Sequence, residues 1–250
     1  NVTYFVEGEF CLLAHRGLSQ HKDNLDENTL SAFEEALAHG ATHLESDIQA
    51  TKDGFAVLFH DHDLNRVAGL DKKISDLTLE QIQQLRLNHG GKIPSLEEAL
   101  SEFPDTRFNL DLKSFAAIEP TAKVLEKLGS HSRVLLSSFN AKTRQEILNK
   151  TERLTASSAD ARAFLSMYAA HLIASPLVRV LKRDFHALQI PVSRSFLRFD
   201  SPSFTKSVRK LGLQLHYWTV NDPAEMLRLS KFATGIVTDR VDLAPNSLRT

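Results

Sequence analysis

Cysteine is almost absent from this chain, with Cys11 its single example. One cysteine excludes an intramolecular disulfide and any multi-cysteine zinc site. Its place in the apolar run Phe10-Cys11-Leu12-Leu13-Ala14 reads as that of a small packed hydrophobe. Long apolar runs are missing too, and none reaches the ~18 residues that a membrane-spanning helix needs. Neither sign of charge is in surplus. Thirty Lys and Arg against 31 Asp and Glu leave a net charge of −1, so no global field gathers nucleic acid or an anionic membrane. Recognition of an anion therefore has to be local. There is no low-complexity stretch, charge block or Gly/Ser linker, and no basic, apolar leader at the start. A cytoplasmic location is the expectation. Because the chain opens on Asn1 and not Met, a periplasmic or secreted protein that has lost a leader fits as well.

What is present is a regular alternation. Short β-type runs are separated by longer helix-type segments, which points to βαβ units and a parallel sheet. The strand candidates are Glu9–Ala14, His43–Gln49, Phe55–Phe59, Arg107–Leu112, Arg133–Ser137, Leu154–Ser157, Ala187–Pro191, Leu213–Val220 and Gly235–Thr238. That is one more than an eight-stranded barrel uses. The second and third runs are separated by only five residues, too few for a parallel crossover, so they pair as an antiparallel hairpin turning at Asp53-Gly54. Eight strands remain. Helix starts are marked at Asn28, Ser95, Asn140, Ser201-Pro202 and Asp222-Pro223. The reading is an α/β chain of 250 residues folded as one (β/α)8 TIM barrel, with a doubly wound open sheet as the alternative. The apolar stretch Phe164–Leu181 reads as helices covering the barrel, with a membrane-surface helix as the lesser alternative.

In such a barrel the active site lies at the carboxyl ends of the strands. Here the first strand ends in His15-Arg16-Gly17 and the second carries Glu45 and Asp47 on one face. The return arm ends in His60-Asp61, and the next strand carries Asp111 and Lys113. Charges facing a core cost several kcal/mol each unless they are paired or bind metal. The hairpin turn brings His60 roughly opposite Asp47. Oxygen ligands from Glu45, Asp47 and Asp111 suit one hard divalent cation, Mg²⁺ or Ca²⁺. Arg16 offers a fork and Lys113 a point charge for phosphate oxygens. Two histidines on either side of a phosphorus centre can serve as general acid and base. His62 lies close enough in sequence to touch the site, whereas His21, His39, His89, His131, His171 and His186 read as surface residues.

The order His15-Arg16-Gly17, Glu27-Asn28-Thr29, Glu45-x-Asp47, Thr51-x-Asp53-Gly54, His60-Asp61, Asn109–Lys113, Trp218-Thr219-Val220-Asn221 and Thr238-Asp239-Arg240 resembles the glycerophosphodiester phosphodiesterase family. The resemblance runs from about His15 to Arg240 and is weakest between Thr155 and Phe204. It implies a metal-dependent phosphoric diester hydrolase that cleaves small glycerophosphodiesters such as glycerophosphocholine or glycerophosphoethanolamine to glycerol 3-phosphate and an alcohol. It also implies His15 and His60 as the acid–base pair, Glu45, Asp47 and a third carboxylate as metal ligands, Arg16 and Lys113 on the phosphate, and Trp218 lining the pocket. The glycerol 2-hydroxyl attacks phosphorus in the route this family suggests, giving a cyclic phosphate that water opens. The family also implies an inserted segment, here Leu64–Lys92. A phospholipase D-like activity on lysophospholipids or sphingolipids from the same residues, and a non-catalytic metal- and phosphodiester-binding barrel, are the alternatives. Asp111 stands where the family usually has glutamate. Asp26 and Val241 replace prolines, which is expected to alter only local stiffness.

Overall fold

The computed structural model describes residues 2–20, 24–173 and 184–249. His21 and the end of the Phe164–Leu181 stretch lie outside them. The strands are β1 Cys11–His15, β2 His43–Ala50, β3 Ala56–Leu58, β4 Asp63–Leu64, β5 Leu70–Lys73, β6 Arg107–Leu112, β7 Val134–Ser137, β8 Ala156–Ser157, β9 Ala187–Pro191, β10 Ser193–Arg194, β11 Leu197–Arg198, β12 Gln214–Trp218 and β13 Gly235–Thr238. Eight of them form a parallel array in the order β8-β7-β6-β2-β1-β13-β12-β9. A single bridge, Ser158 to Ala187, joins the two ends into a nearly closed barrel. The open doubly wound alternative is thereby excluded. As the sequence requires, β3 is the surplus strand and pairs antiparallel with β2.

Alternation along each strand sorts the core into two shells. In β1, Leu12 and Ala14 face the surrounding helices, while Cys11 and Leu13 meet Val237 in a separate cluster. Helix Leu30–Ala38 begins at Thr29, whose hydroxyl accepts from Ala32 N, and not at Asn28. Asn28 adopts a left-handed φ of 57° and turns its side chain inward. Helix Leu96–Glu102 starts with a full capping box, in which Ser95 and Glu98 exchange side-chain and backbone hydrogen bonds. The strand expected at Leu154–Ser157 contracts to two residues, with Leu154 exposed. His131, expected at the surface, is a further correction. It is buried and pairs through Nε2 with Glu126 at 2.8 Å, while His186 accepts from Ser157 N at 3.2 Å. The His131 partner is five residues away on the preceding helix, whereas that of His186 is 29 residues away.

The segment between β3 and β6 builds a small satellite. Leu64, Val67, Ile74, Leu77, Ile82, Leu87 and Ile93 form a cluster of their own against Val57 and Phe59. Its carboxy-terminal end is tied down at Asp26, whose carboxylate accepts from His89 N and Gly91 N. Asp26 therefore does more than alter stiffness, contrary to expectation.

At the amino-terminal mouth of the barrel, Tyr4 is fully buried with Leu135, Ala156 and Ala187. Its ring lies 5.2 Å from that of His43, and Phe5 lies 6.0 Å from His216. This plug leaves the opposite mouth for chemistry. Burial holds the His43 and His216 imidazoles down to about 3 and about 4. Both are neutral in the fold and gain protons near pH 6.5 when unfolded, so stability is complete above that value and falls as pH drops toward 4. His216 alone should contribute roughly 2 kcal/mol of lost stability between pH 7.5 and 5. Urea unfolding at the two pH values tests this. His216→Gln should flatten the pH dependence, and an unchanged slope would show that the imidazole is protonated inside the barrel.

Candidate active site

Parallel pairing aligns the functional side chains at the carboxyl ends. His15 lies beside Glu45 across β1 and β2, and Asp47 beside Asp111 across β2 and β6. Neighbours in a parallel register project to the same side of the sheet, so all four point to the barrel axis. Just past β1 the chain turns sharply through Arg16 (φ 58°) and Gly17 (φ 82°). A Cβ on Gly17 would meet the Ala32 carbonyl carbon at 2.7 Å, so no side chain fits there. The turn lets Arg16 N donate to Glu45 Oε2 at 3.1 Å.

Each histidine is held by a carboxylate. His15 Nδ1 is 2.6 Å from Asp239 Oδ1, and His60 Nδ1 is 2.7 Å from Asp61 Oδ1. An ionised carboxylate only accepts, so each Nδ1 carries the proton and each Nε2 is left to exchange one. Asn221 fixes Asp239 from behind, donating Nδ2 to Oδ2 at 2.8 Å and accepting Asp239 N at 2.9 Å. Burial pushes the His15 imidazole down, but the hydrogen bond to Asp239 and the charge of Glu45 outweigh it and leave it raised. Burial likewise pushes Asp239 up, and His15 and Asn221 hold it below the usual range.

Three acids and two cations fill the centre. Lys113 Nζ bridges Asp47 Oδ1 at 2.8 Å and Asp111 Oδ2 at 2.7 Å. Arg16 Nε lies 3.2 Å from Asp47 Oδ2, and Arg16 Nη1 donates to Glu27 Oε1 at 3.0 Å. Asn28 Nδ2 also donates to Asp47 Oδ2, and Ser137 Oγ to Asp111 Oδ1. Burial pushes the Asp47 carboxyl up, yet the Lys113 and Arg16 charges beside it hold it low. For Glu45 the compensation from His15 and Lys113 is incomplete. Burial, followed by the charge of Asp47, pushes it up to about 7. Glu45 and Asp47 are thus two adjacent buried carboxylates, Glu45 being the less compensated, and oxygen donors of this kind fit a hard divalent cation. Among the described residues no three His, Cys, Asp or Glu groups converge on one point, and the Lys113 ammonium lies between Asp47 and Asp111.

The sequence-predicted residues His15, Arg16, Glu45, Asp47, Asp111 and Lys113 come together. His60 stands beyond the hairpin ladder, because the register sets Phe59 and not His60 opposite Asp47. Trp218 ends β12 half-buried, its ring 6.0 Å from that of exposed Phe139. His62 is exposed. Sequence reasoning did not assign roles to Asp61, Asp239, Glu27, Asn28 or Arg66. The first four stand inside the quoted motifs, but only the folded contacts reveal what they hold.

The histidines, acids and two cationic side chains gather at the carboxyl mouth, where enzymes of the (β/α)8 barrel class carry their active sites. Residues 15–243 match the glycerophosphoryl diester phosphodiesterase family. A probable glycerophosphodiester phosphodiesterase 2 of Mycobacterium tuberculosis is 34% identical over 97% of this chain and 92% of its own. A glycerophosphodiester phosphodiesterase of Caldanaerobacter subterraneus is 28% identical over 95% of this chain and 97% of its own. The crystal structure of the Thermotoga maritima glycerophosphodiester phosphodiesterase superposes with a TM-score of 0.74 at 28% identity, covering 95% of this chain and 98% of that one. The chain belongs to the glycerophosphoryl diester phosphodiesterase family and is a phosphodiesterase. No helix among the described residues is long and apolar enough to cross a membrane.

Proposed function

We propose that the chain hydrolyses small glycerophosphodiesters such as glycerophosphocholine and glycerophosphoethanolamine to glycerol 3-phosphate and an alcohol. The observation that carries this reading is the pair of carboxylate-held histidines at the same barrel mouth as Arg16 and Lys113. Binding alone needs neither a proton donor nor an acceptor, so the non-catalytic alternative leaves both His–Asp pairs without a purpose. Arg16 and Lys113 hold the phosphate. One histidine takes the proton of the attacking glycerol 2-hydroxyl as its oxygen bonds to phosphorus, and the other gives a proton to the departing alcohol oxygen. Water then opens the cyclic phosphate with the roles reversed. Trp218 and Phe139 provide an apolar wall beside Lys113.

Glu45 and Asp47 would hold one Mg²⁺ or Ca²⁺, with Asp111 as the third oxygen ligand. When bound, the ion supplies Lewis-acid neutralisation of the phosphate charge.

The test is turnover of glycerophosphocholine and lysophosphatidylcholine side by side, in Mg²⁺, in Ca²⁺ and after EDTA. The expected result is ion-dependent release of choline from glycerophosphocholine. Exclusive turnover of the lysolipid would move the assignment to a phospholipase D-like enzyme, and inactivity on both would sink the catalytic reading.

A further inference from the structure

Arg66 lies in the inserted segment, on the short helix Asn65–Ala68, well away from the barrel strands in sequence. Its guanidinium nonetheless reaches two carboxylates of the site through different nitrogens. Nε donates to Asp61 Oδ2 at 2.6 Å, while Nη1 and Nη2 donate to Glu27 Oε2 and Oε1 at 3.0 and 2.6 Å. Asp61 is the carboxylate that holds the His60 ring. Glu27 Oε1 also accepts from Arg16 Nη1. One continuous chain of contacts therefore runs Arg16–Glu27–Arg66–Asp61–His60, joining a phosphate-holding group to a proton-transferring one.

The helix that carries Arg66 is fixed at both ends of the insertion. Val67 is buried in the satellite cluster, and Asn88 grips the backbone on either side by donating Nδ2 to Arg66 O at 2.9 Å and its N–H to Val67 O at 2.8 Å. Next to Asn88, His89 N donates to Asp26, the residue before Glu27. Arg66 is half exposed, so its ion pairs contribute little to stability. Their geometry matters more. A planar fork bound bidentately to one carboxylate and singly to another fixes the angle between them, which a lysine ammonium cannot do.

We infer that Arg66 is a positioning residue that sets the His60 ring through Asp61 and the Arg16 fork through Glu27, so that the inserted segment is part of the catalytic apparatus. This rests on the proposed function for its kinetic expression, but not for its geometry. In ¹⁵N-histidine-labelled native protein, His60 should show a single Nδ1–H tautomer. Arg66→Ala should mix the two tautomers. Against glycerophosphocholine, kcat should fall roughly 10–100-fold, as is usual when the partner that orients a functional ligand is removed, and KM should rise. In an Asp61→Asn background the Arg66→Ala loss in kcat should vanish, and in a Glu27→Gln background the rise in KM should vanish. Arg66→Lys guards against misfolding. It retains the charge, and in folded protein it should still lose about tenfold in kcat.

Folded Arg66→Ala and Arg66→Lys proteins with native tautomer signals and unchanged kcat and KM would overturn the inference. If the native protein cleaved no glycerophosphodiester but the His60 tautomers still mixed in Arg66→Ala, the functional reading would fall and the positioning role would stand.

Discussion

Alanine at His15 or at His60 should lower turnover of glycerophosphocholine by roughly 10²–10⁴-fold each, the range typical of a lost general acid or base. Substrate affinity should change far less, because Arg16 and Lys113 remain to hold the phosphate. In-line displacement places the attacking and leaving oxygens at opposite apices of phosphorus, and one imidazole cannot serve both. Hence one histidine works neutral and the other protonated, and turnover against pH should be bell-shaped. A substrate with a much better leaving group needs no acid, so it should rescue only the alanine variant that lacks the acid. The two dyads add a finer expectation. Asp239→Asn keeps the His15 ring but offers it a donor as readily as an acceptor, and should therefore lose activity through the wrong tautomer, with little change in KM. Near-normal turnover by either alanine variant would exclude the two-histidine mechanism.

Removal of divalent ions should abolish activity, and either Mg²⁺ or Ca²⁺ should restore it. Glu45 carries the argument. Its carboxyl is buried beside Asp47 and pushed up to about 7, because the His15 and Lys113 charges offset its burial less fully than Lys113 and Arg16 offset that of its neighbour. Glu45→Gln should remove ion binding measured by titration calorimetry while leaving the fold unchanged by circular dichroism. Asp47→Asn should also abolish activity, and its effect is compound, since both cations lose their shared partner. Asp111 tests the third ligand. Asp111→Ala should weaken ion affinity strongly, whereas Asp111→Glu should keep or tighten it. An unchanged dissociation constant in Asp111→Ala would confine Asp111 to its contacts with Lys113 and Ser137. Full activity after exhaustive EDTA treatment would end the metal proposal altogether.

Strand ends were legible in the sequence because a charged residue at a core-facing position has few physical explanations. Glu45 with Asp47, and Asp111 with Lys113, each fall two apart on a strand, and their joint placement with His15, Arg16 and His60 at successive strand ends marked the candidate site. The hairpin was legible from chain length, since five residues cannot cross over between parallel strands. Its register was not. The longer turn shifts the pairing by one residue, and Phe59 takes the place opposite Asp47 that His60 was expected to fill. Asp61, Asp239 and Arg66 lay beyond reach for another reason. An Asp beside a His in sequence and an Asp 224 residues away perform the same task here, and only closure of the barrel equates them. Asn28 carries the composition of a helix cap, yet Thr29 caps the helix while Asn28 bonds Asp47 and Ser46. His131 looked like a surface residue because its partner Glu126 is on the preceding helix and its burial comes from the packed fold.

The contact between His15 and Asp239 has a consequence for the order of events during synthesis. His15 leaves the ribosome well before Asp239, and β1 pairs with β13 along four registered positions. Until the last strand arrives, β1 presents an open edge toward β13 and the His15 ring has no carboxylate to set its tautomer. A chain terminated just before Asp239 would still contain His15, Arg16, Glu45, Asp47, His60, Asp111 and Lys113, yet would lack the carboxylate that holds the His15 ring. The carboxylate that holds the His15 ring is thus supplied from just past β13, at the far end of the eight-stranded array in sequence.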